Sequence, residues 1–193
     1  MSAHNHVRTS AGLFDVSHMV QHTFSGPSVQ DFLESLVPSS LSNLAPYTST
    51  LSVILNEEGG IIDDTVITKH SNDSFYVVTN AGRAKEDKAH FEAKLAEWNA
   101  ESGKGKGKEV KWEVMDGWGL VALQGPKAAE ALQVLVKDVD LTGVKFGQSA
   151  FADVNGVRCH IARGGYTGED GFEVRRDPVP PYLDLLNWRE IRY

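Results

Sequence analysis

Cysteine is nearly absent from this chain: Cys159 is the only one in 193 residues, so no internal disulfide can form and a reducing compartment is expected. Basic charge is also scarce, with 19 Lys and Arg against 26 Asp and Glu and a formal net charge of −7. A phosphate backbone is held by a basic surface, so no nucleic-acid partner is expected. No apolar run approaches the ~20 residues of a spanning helix, and residues 1–20 lack a signal peptide's apolar stretch, so the chain reads as soluble, without a membrane partner. Familiar catalytic spellings are missing too. There is no H-E-x-x-H or G-x-S-x-G, which disfavours zinc and a serine nucleophile, and no metal is expected. Without G-x-x-x-x-G-K-[ST], the SGKGKGK run at 102–108 reads as a hydrated connector. What remains, 41% hydrophobic and 23% charged, is ordinary globular composition, long enough for one large or two small domains.

Two stretches are spelled alike. HTFSGPSVQDFLESLV begins at His22 and LVALQGPKAAEALQVLV at Leu120, each reading as a strand, a Gly-Pro corner and a helix. Superposing Gly26-Pro27 on Gly125-Pro126 sets Val29, Leu33, Leu36 and Val37 opposite Ala128, Leu132, Leu135 and Val136, an apolar face repeated at helical spacing. Two copies point to paired related lobes and not to a solenoid. Before the first corner, LFDVSHMVQHTF (13–24) has strand composition. After it, TLSVILNEEGGIIDDTVIT from Thr50 gives two β runs around a turn where Gly59 and Gly60 supply positive φ. SFYVVTN (74–80) is a third run, and residues 82–100 form a helix with Ala84, Phe91, Leu95 and Trp98 on one face and charges elsewhere. The second copy predicts a strand, a helix over 126–137 and a hairpin turning at Asn155-Gly156. The class is α+β, with helices covering one side of antiparallel sheets. Beyond Glu173 the tail carries three prolines within 178–181 and predicts no regular element.

Chemistry has two candidate seats. Asp63-Asp64 opens a strand after Gly59-Gly60, and adjacent strand residues point to opposite faces, so the two carboxylates are not expected to form a dyad. One should meet solvent and the other an apolar-flanked face, where desolvation raises its pKa; alternation leaves open which. The plainer alternative makes both solubilising charges beside a turn. GGYTGEDG (164–171) lets backbone approach a flat ligand, with Tyr166 to stack and Glu173 to accept paired N–H donors; an ordinary glycine-rich turn is the alternative. His18, in DVSHM, reads as a hydrogen-bonded structural histidine.

Taken in order, RTSAGLFDVSHM (8–19), NEEGGIIDDTVI (56–67), VVTNAG (77–82), LVALQGPKA (120–128) and GYTGEDGFE (165–173) resemble the T-protein of the glycine cleavage system, the aminomethyltransferase family. The resemblance implies two interleaved ferredoxin-like lobes of the folate-binding fold, without the family's C-terminal barrel domain. Residues 1–20 and 115–193 would form the first lobe, with 175–193 uncertain, and 21–114 the inserted second lobe. It implies transfer of an aminomethyl carbon from the lipoyl arm of the H-protein to tetrahydrofolate with release of ammonia, in glycine catabolism in the mitochondrial matrix. The implied partner is the lipoylated H-protein. Asp64 stands at the family's key aspartate and would stabilise the cationic one-carbon unit and orient folate N10. Tyr166 and Glu173 would hold the folate, Glu173 through its pterin ring, while Met19 and Asn80 line the pocket. Leu51 replaces a tyrosine frequent in bacterial members, and Gly164 a usual threonine. Members are longer than this chain, so weak or absent turnover is expected of it as a fragment. Two alternatives remain: a folate-binding module of iron–sulfur assembly, whose K-G-C-Y-x-G-Q signature is absent, and part of a sarcosine or dimethylglycine dehydrogenase, whose dinucleotide fingerprint does not precede the match.

Overall fold

The computed structural model describes residues 2–102 and 109–176; the Gly-Lys connector at 103–108 and the tail from 177 lie outside the described residues. In chain order the elements are α1 (Ser2–Thr9), β1 (Gly12–Asp15), β2 (Val20–Ser25), α2 (Val29–Glu34), β3 (Thr48–Leu55), β4 (Ile61–Ser71), β5 (Ser74–Thr79), α3 (Ala84–Ser102), β6 (Lys111–Val114), β7 (Gly119–Gln124), α4 (Ala128–Leu135), β8 (Ser149–Val154), β9 (Val157–Arg163) and β10 (Gly171–Arg176). They fall into two compact units, Met1–His18 with Gly117–Tyr193, and Met19–Asp116. The first unit's sheet has the order β1-β7-β10-β9-β8, the inserted unit's β3-β4-β5-β2-β6, and every pairing is antiparallel. The inserted unit follows the ferredoxin-like order with a three-stranded meander, β3-β4-β5, in place of the hairpin.

The spelling repeat is a structural repeat. Gly26 and Gly125 both adopt a left-handed φ, +131° and +139°, and donate their N–H to Asp73 O at 2.9 Å and Asp170 O at 2.8 Å, just before β5 and β10. A Cβ on either would overlap a backbone carbonyl, Glu109 O ahead of β6 or Ser10 O ahead of β1, so glycine is required twice for one reason. Beneath each corner the short helix seals a core. In the inserted unit this core is aromatic, with Phe24, Phe32, Phe75 and Phe91 fully buried; in the other it is aliphatic around Leu132, Leu141 and Ile161, with Phe172. The Asn155-Gly156 turn also forms as expected, with φ of 51° and 86° joining β8 to β9.

Three expectations change in detail. The 13–24 run is two strands, β1 and β2, in different sheets, because the chain turns at Val16–Met19, where Asp15 Oδ1 accepts the Ser17 N–H at 3.0 Å. Of the paired glycines, only Gly59 has positive φ. A Cβ on Gly60 would instead press on Asn56, whose Oδ1 accepts the N–H of Glu58 at 3.1 Å and of Gly60 at 2.7 Å. Charges on α3 are not all outside, since Asp87 is fully buried on the same stripe as Phe91.

Candidate functional site

The end of the inserted sheet at β4 and β5 gathers three acidic residues. Ile54 pairs with Asp63 and Leu55 with Ile61, so Ile62 is a bulged extra residue whose carbonyl accepts from Arg83 Nε at 3.0 Å. From Asp63 onward alternation is regular. Asp63 shares a face with Thr65 and Ile67 under the helices and is 7% exposed, while Asp64 points to the other face and is exposed.

The two carboxylates are nevertheless joined, which alternation alone could not reveal. Asn80 lies immediately after β5, where an asparagine would ordinarily cap the following 3-10 turn at Ala81–Arg83; its side chain makes no such bond. Its backbone N–H donates to Asp63 Oδ2 at 2.9 Å, and its carboxamide nitrogen donates to Asp63 Oδ1 at 3.0 Å and Asp64 Oδ1 at 2.8 Å. Only the nitrogen end of the amide can face this set of acceptors, which fixes its orientation. Both carboxylates are therefore tied to one donor at one rim of the sheet. Met19 precedes Val20, the register partner of Thr79, so Met19 stands at this same end.

Asp87 approaches from α3 with 0% exposure, and neither carboxyl oxygen has a hydrogen-bond partner among the described residues. Burial, and then the neighbouring charge of Asp63, pushes its pKa up to about 7 from 3.8. Behind it lies His22, also buried, whose Nδ1 accepts from Trp112 Nε1 at 3.2 Å and whose Nε2 lies 3.1 Å from Thr79 Oγ1. An indole N–H only donates, so the imidazole proton sits on Nε2 and points to Thr79. Burial pushes the His22 pKa down to about 4, so the ring is neutral at pH 7. Thr79 and Asp63 flank the Asp87 carboxyl. The signal that betrays Asp87 in the sequence is a lone acid at the apolar spacing of Ala84 and Phe91.

In the discontinuous unit, Phe172 and Val174 of β10 face α4 and the core, so Glu173 points to the face opposite α4, between Ala122 and Ala162 in register, the face on which α1 packs Val7 over Gly12. Glu173 is partly buried, has no hydrogen-bond partner among the described residues, and burial raises its pKa. The glycine loop before β10 is shaped by Gln124: a Cβ on Gly165 or Gly171 would overlap that side chain, which donates to Gly164 O at 2.9 Å and accepts from Thr167 Oγ1 at 2.8 Å. Two of its glycines therefore make room for the Gln124 side chain. Arg8 donates to Thr167 O at 2.6 Å and Glu169 at 3.0 Å, and Arg163 grips Asp170 by both nitrogens at 2.9 and 2.7 Å. Tyr166 is 68% exposed and lines a hollow of about 290 Å³ with Val7, Arg8 and Phe14.

His18 departs from expectation: it is exposed in the turn after β1, with no hydrogen bond among the described residues. His18 and His22 do stand at H-x-x-x-H spacing, but not on a helix, and both His22 nitrogens are engaged inside the core. The described residues hold no cluster of His, Cys, Asp or Glu arranged for a metal, and none of their helices is long and apolar enough to cross a membrane.

Comparison with known proteins identifies the family and the fold. The GCVT N-terminal domain family model matches residues 1–179. The probable mitochondrial aminomethyltransferase of Schizosaccharomyces pombe is 46% identical over 173 residues, covering 90% of this chain and 42% of that protein. The mitochondrial aminomethyltransferase of Saccharomyces cerevisiae is 45% identical over 180 residues, covering 90% and 43%. Among solved structures, the glycine cleavage system aminomethyltransferase T from Bartonella henselae superposes with a TM-score of 0.77 at 34% identity, over 91% of this chain and 44% of that one. The heterotetrameric sarcosine oxidase from Corynebacterium sp. U-96, at 14% identity and a TM-score of 0.54 over 90% of this chain and 81% of that one, shares the fold alone. The chain spans about two fifths of the length of these curated relatives. With its duplicated antiparallel lobes and a family match across residues 1–179, the chain belongs to the GCVT family, the T-protein aminomethyltransferases.

Proposed function

We propose that this chain serves transfer of an aminomethyl carbon from the lipoyl arm of the H-protein to tetrahydrofolate, with release of ammonia, in mitochondrial glycine catabolism. The observation that carries the proposal is the Asn80 carboxamide gathering Asp63 and Asp64 at one rim while leaving Asp64 exposed. A held, outward carboxylate stabilises an iminium-like carbon, because its position is fixed before charge develops there. In this reading Asp64 is the catalytic group, stabilising the one-carbon cation and orienting the folate N10. Asn80 holds Asp64 in place, and Met19 lies beside the reacting end.

Glu173 and Tyr166 are assigned to the folate. A carboxylate without a partner on a small-residue face suits the adjacent N–H donors of a pterin ring, and an exposed tyrosine suits stacking on it. The two units are read as the family's first domain and a second domain inserted into it. No metal enters the scheme. Folate binding by these residues is the part of the scheme that the chain is proposed to carry by itself. Tetrahydrofolate titration followed by intrinsic fluorescence tests the folate half. Tyr166→Ala should weaken binding, and an unchanged dissociation constant removes Tyr166 from the site.

A further inference from the structure

Asp87 is the most buried acid of the inserted unit, and the scheme above gives it no task. Its surroundings are specific. From β4 comes Asp63, from β5 Thr79, from β2 His22 behind Thr79, and from its own helix and the turn before it Lys88 and Arg83. None of these donates a well-formed hydrogen bond to either Asp87 oxygen among the described residues. Asp63, by contrast, has both oxygens occupied by Asn80 donors.

Two adjacent carboxyl groups attract only when one carries a proton; as two anions they repel in a site that water does not screen. The proton falls to Asp87, which has no donors to stabilise an anion and is shut from solvent. A protonated Asp87 has one O–H to give, and the acceptor beside it is Asp63. Thr79, whose hydroxyl receives the His22 proton, lies beside the Asp87 carboxyl without donating a well-formed hydrogen bond to it. The Asp87 carboxyl therefore lies between two observed sets of donors, Trp112 to His22 to Thr79 on one side and Asn80 to Asp63 and Asp64 on the other, and its own proton can be given only to Asp63.

We propose that Asp87 is a positioning residue, a neutral acid that donates to Asp63 from behind and so holds the Asp63–Asn80–Asp64 array in place. Its bearing on turnover rests on the role given above to Asp64; the array itself is measurable without substrate. Ionising Asp87 would set a second charge against Asp63 and loosen Asn80, so the rim senses pH near neutrality through a group that never touches the ligand.

The test follows side-chain carboxyl and amide resonances of the full chain by NMR across pH 4–9, in the wild type, Asp87→Asn and Asp87→Leu. Asp87 should titrate near 7, and the Asn80 side-chain amide should shift with the same midpoint. Asp87→Asn keeps an N–H donor toward Asp63, so the Asn80 amide should stay protected while its pH response disappears. Asp87→Leu has no donor, and Asn80 side-chain exchange should quicken about tenfold, the equivalent of one ordinary hydrogen bond. Titration of Asp87 near 3.8, or an Asn80 signal indifferent to Asp87, overturns the proposal. Should Asp87→Leu not fold, the wild-type titration and Asp87→Asn decide alone. No reading involves folate or H-protein, so failure of the transfer scheme would leave these outcomes standing.

Discussion

Each lobe carries one shielded carboxyl without a hydrogen-bond partner among the described residues, and the two lie on opposite sides of their sheets. Asp87 is on the helix-covered side of the inserted sheet, fully buried against Asp63 and Thr79. Glu173 is on the side of the other sheet away from α4, flanked by Ala122 and Ala162. Burial raises both pKa values, so the shift alone does not distinguish their tasks. Location does. An acid facing a packed core has protein neighbours to act on, whereas Glu173 lies on the opposite face of its sheet, outside the core cluster.

The lobes differ in connectivity as well as in their acids. In the inserted unit α3 leads into the edge strand β6, which lies beside β2; in the other unit α1 leads into β1, which lies beside β7. In strand order one is a circular permutation of the other, with the residues of the inserted unit falling between β1 and β7 in the chain. This explains why a single strand-like run across 13–24 splits: the chain leaves one sheet and enters another inside it.

The largest effect that probes this comparison comes from the cores. Phe24→Ala should destabilise the aromatic lobe by about 3–5 kcal/mol, seen as a lower urea midpoint by the fluorescence of Trp98 and Trp112, which pack on that core. Matched corner substitutions come next. Gly26→Ala and Gly125→Ala each force a methyl against a carbonyl at a left-handed φ, and each should destabilise by roughly 1–3 kcal/mol. Markedly unequal losses would show that the two corners are not equivalent.

Smaller still is a pH effect confined to the inserted lobe. Asp87, raised from 3.8 to about 7, binds more proton folded than unfolded, so its contribution is full below about 4 and lost as pH rises to about 7. His22, lowered from 6.5 to about 4, has the opposite sign, with its contribution gained as pH rises over about 4 to 6.5. The two slopes oppose one another in the wild type. Asp87→Asn should uncover the His22 slope, so that the urea midpoint rises between pH 4 and 6.5; a midpoint that still falls there would contradict the assignment. Least of all, Arg158→Ala breaks an exposed pair with Asp138 at 2.8 Å and should leave the urea midpoint unmoved.

Much of this was legible in the sequence. The Gly-Pro spelling announced the repeat because only glycine fits that corner, and Asn155-Gly156 announced its hairpin because both positions need positive φ. Alternation correctly put Asp63 and Asp64 on opposite faces. It could not show Asn80 reaching both, since that contact depends on where β5 ends beside β4. Asp87 left one trace, its place at the apolar spacing of Ala84 and Phe91, but its task stayed out of reach because only the sheet beneath the helix supplies the neighbouring acid. The glycine loop was legible as a place of close backbone approach, but not the side chain that fills two of its glycine positions, since Gln124 comes from β7, 40 residues away.

The most direct measurement is a paired one on Asp64→Asn and the wild-type chain: tetrahydrofolate affinity by titration, and methylene-tetrahydrofolate formed in a single turnover from aminomethyl-loaded H-protein. Removing the charge should abolish the product while leaving the dissociation constant nearly unchanged, because the carboxylate acts on the reacting carbon. Equal losses of affinity and product would make Asp64 a binding residue and contradict the account.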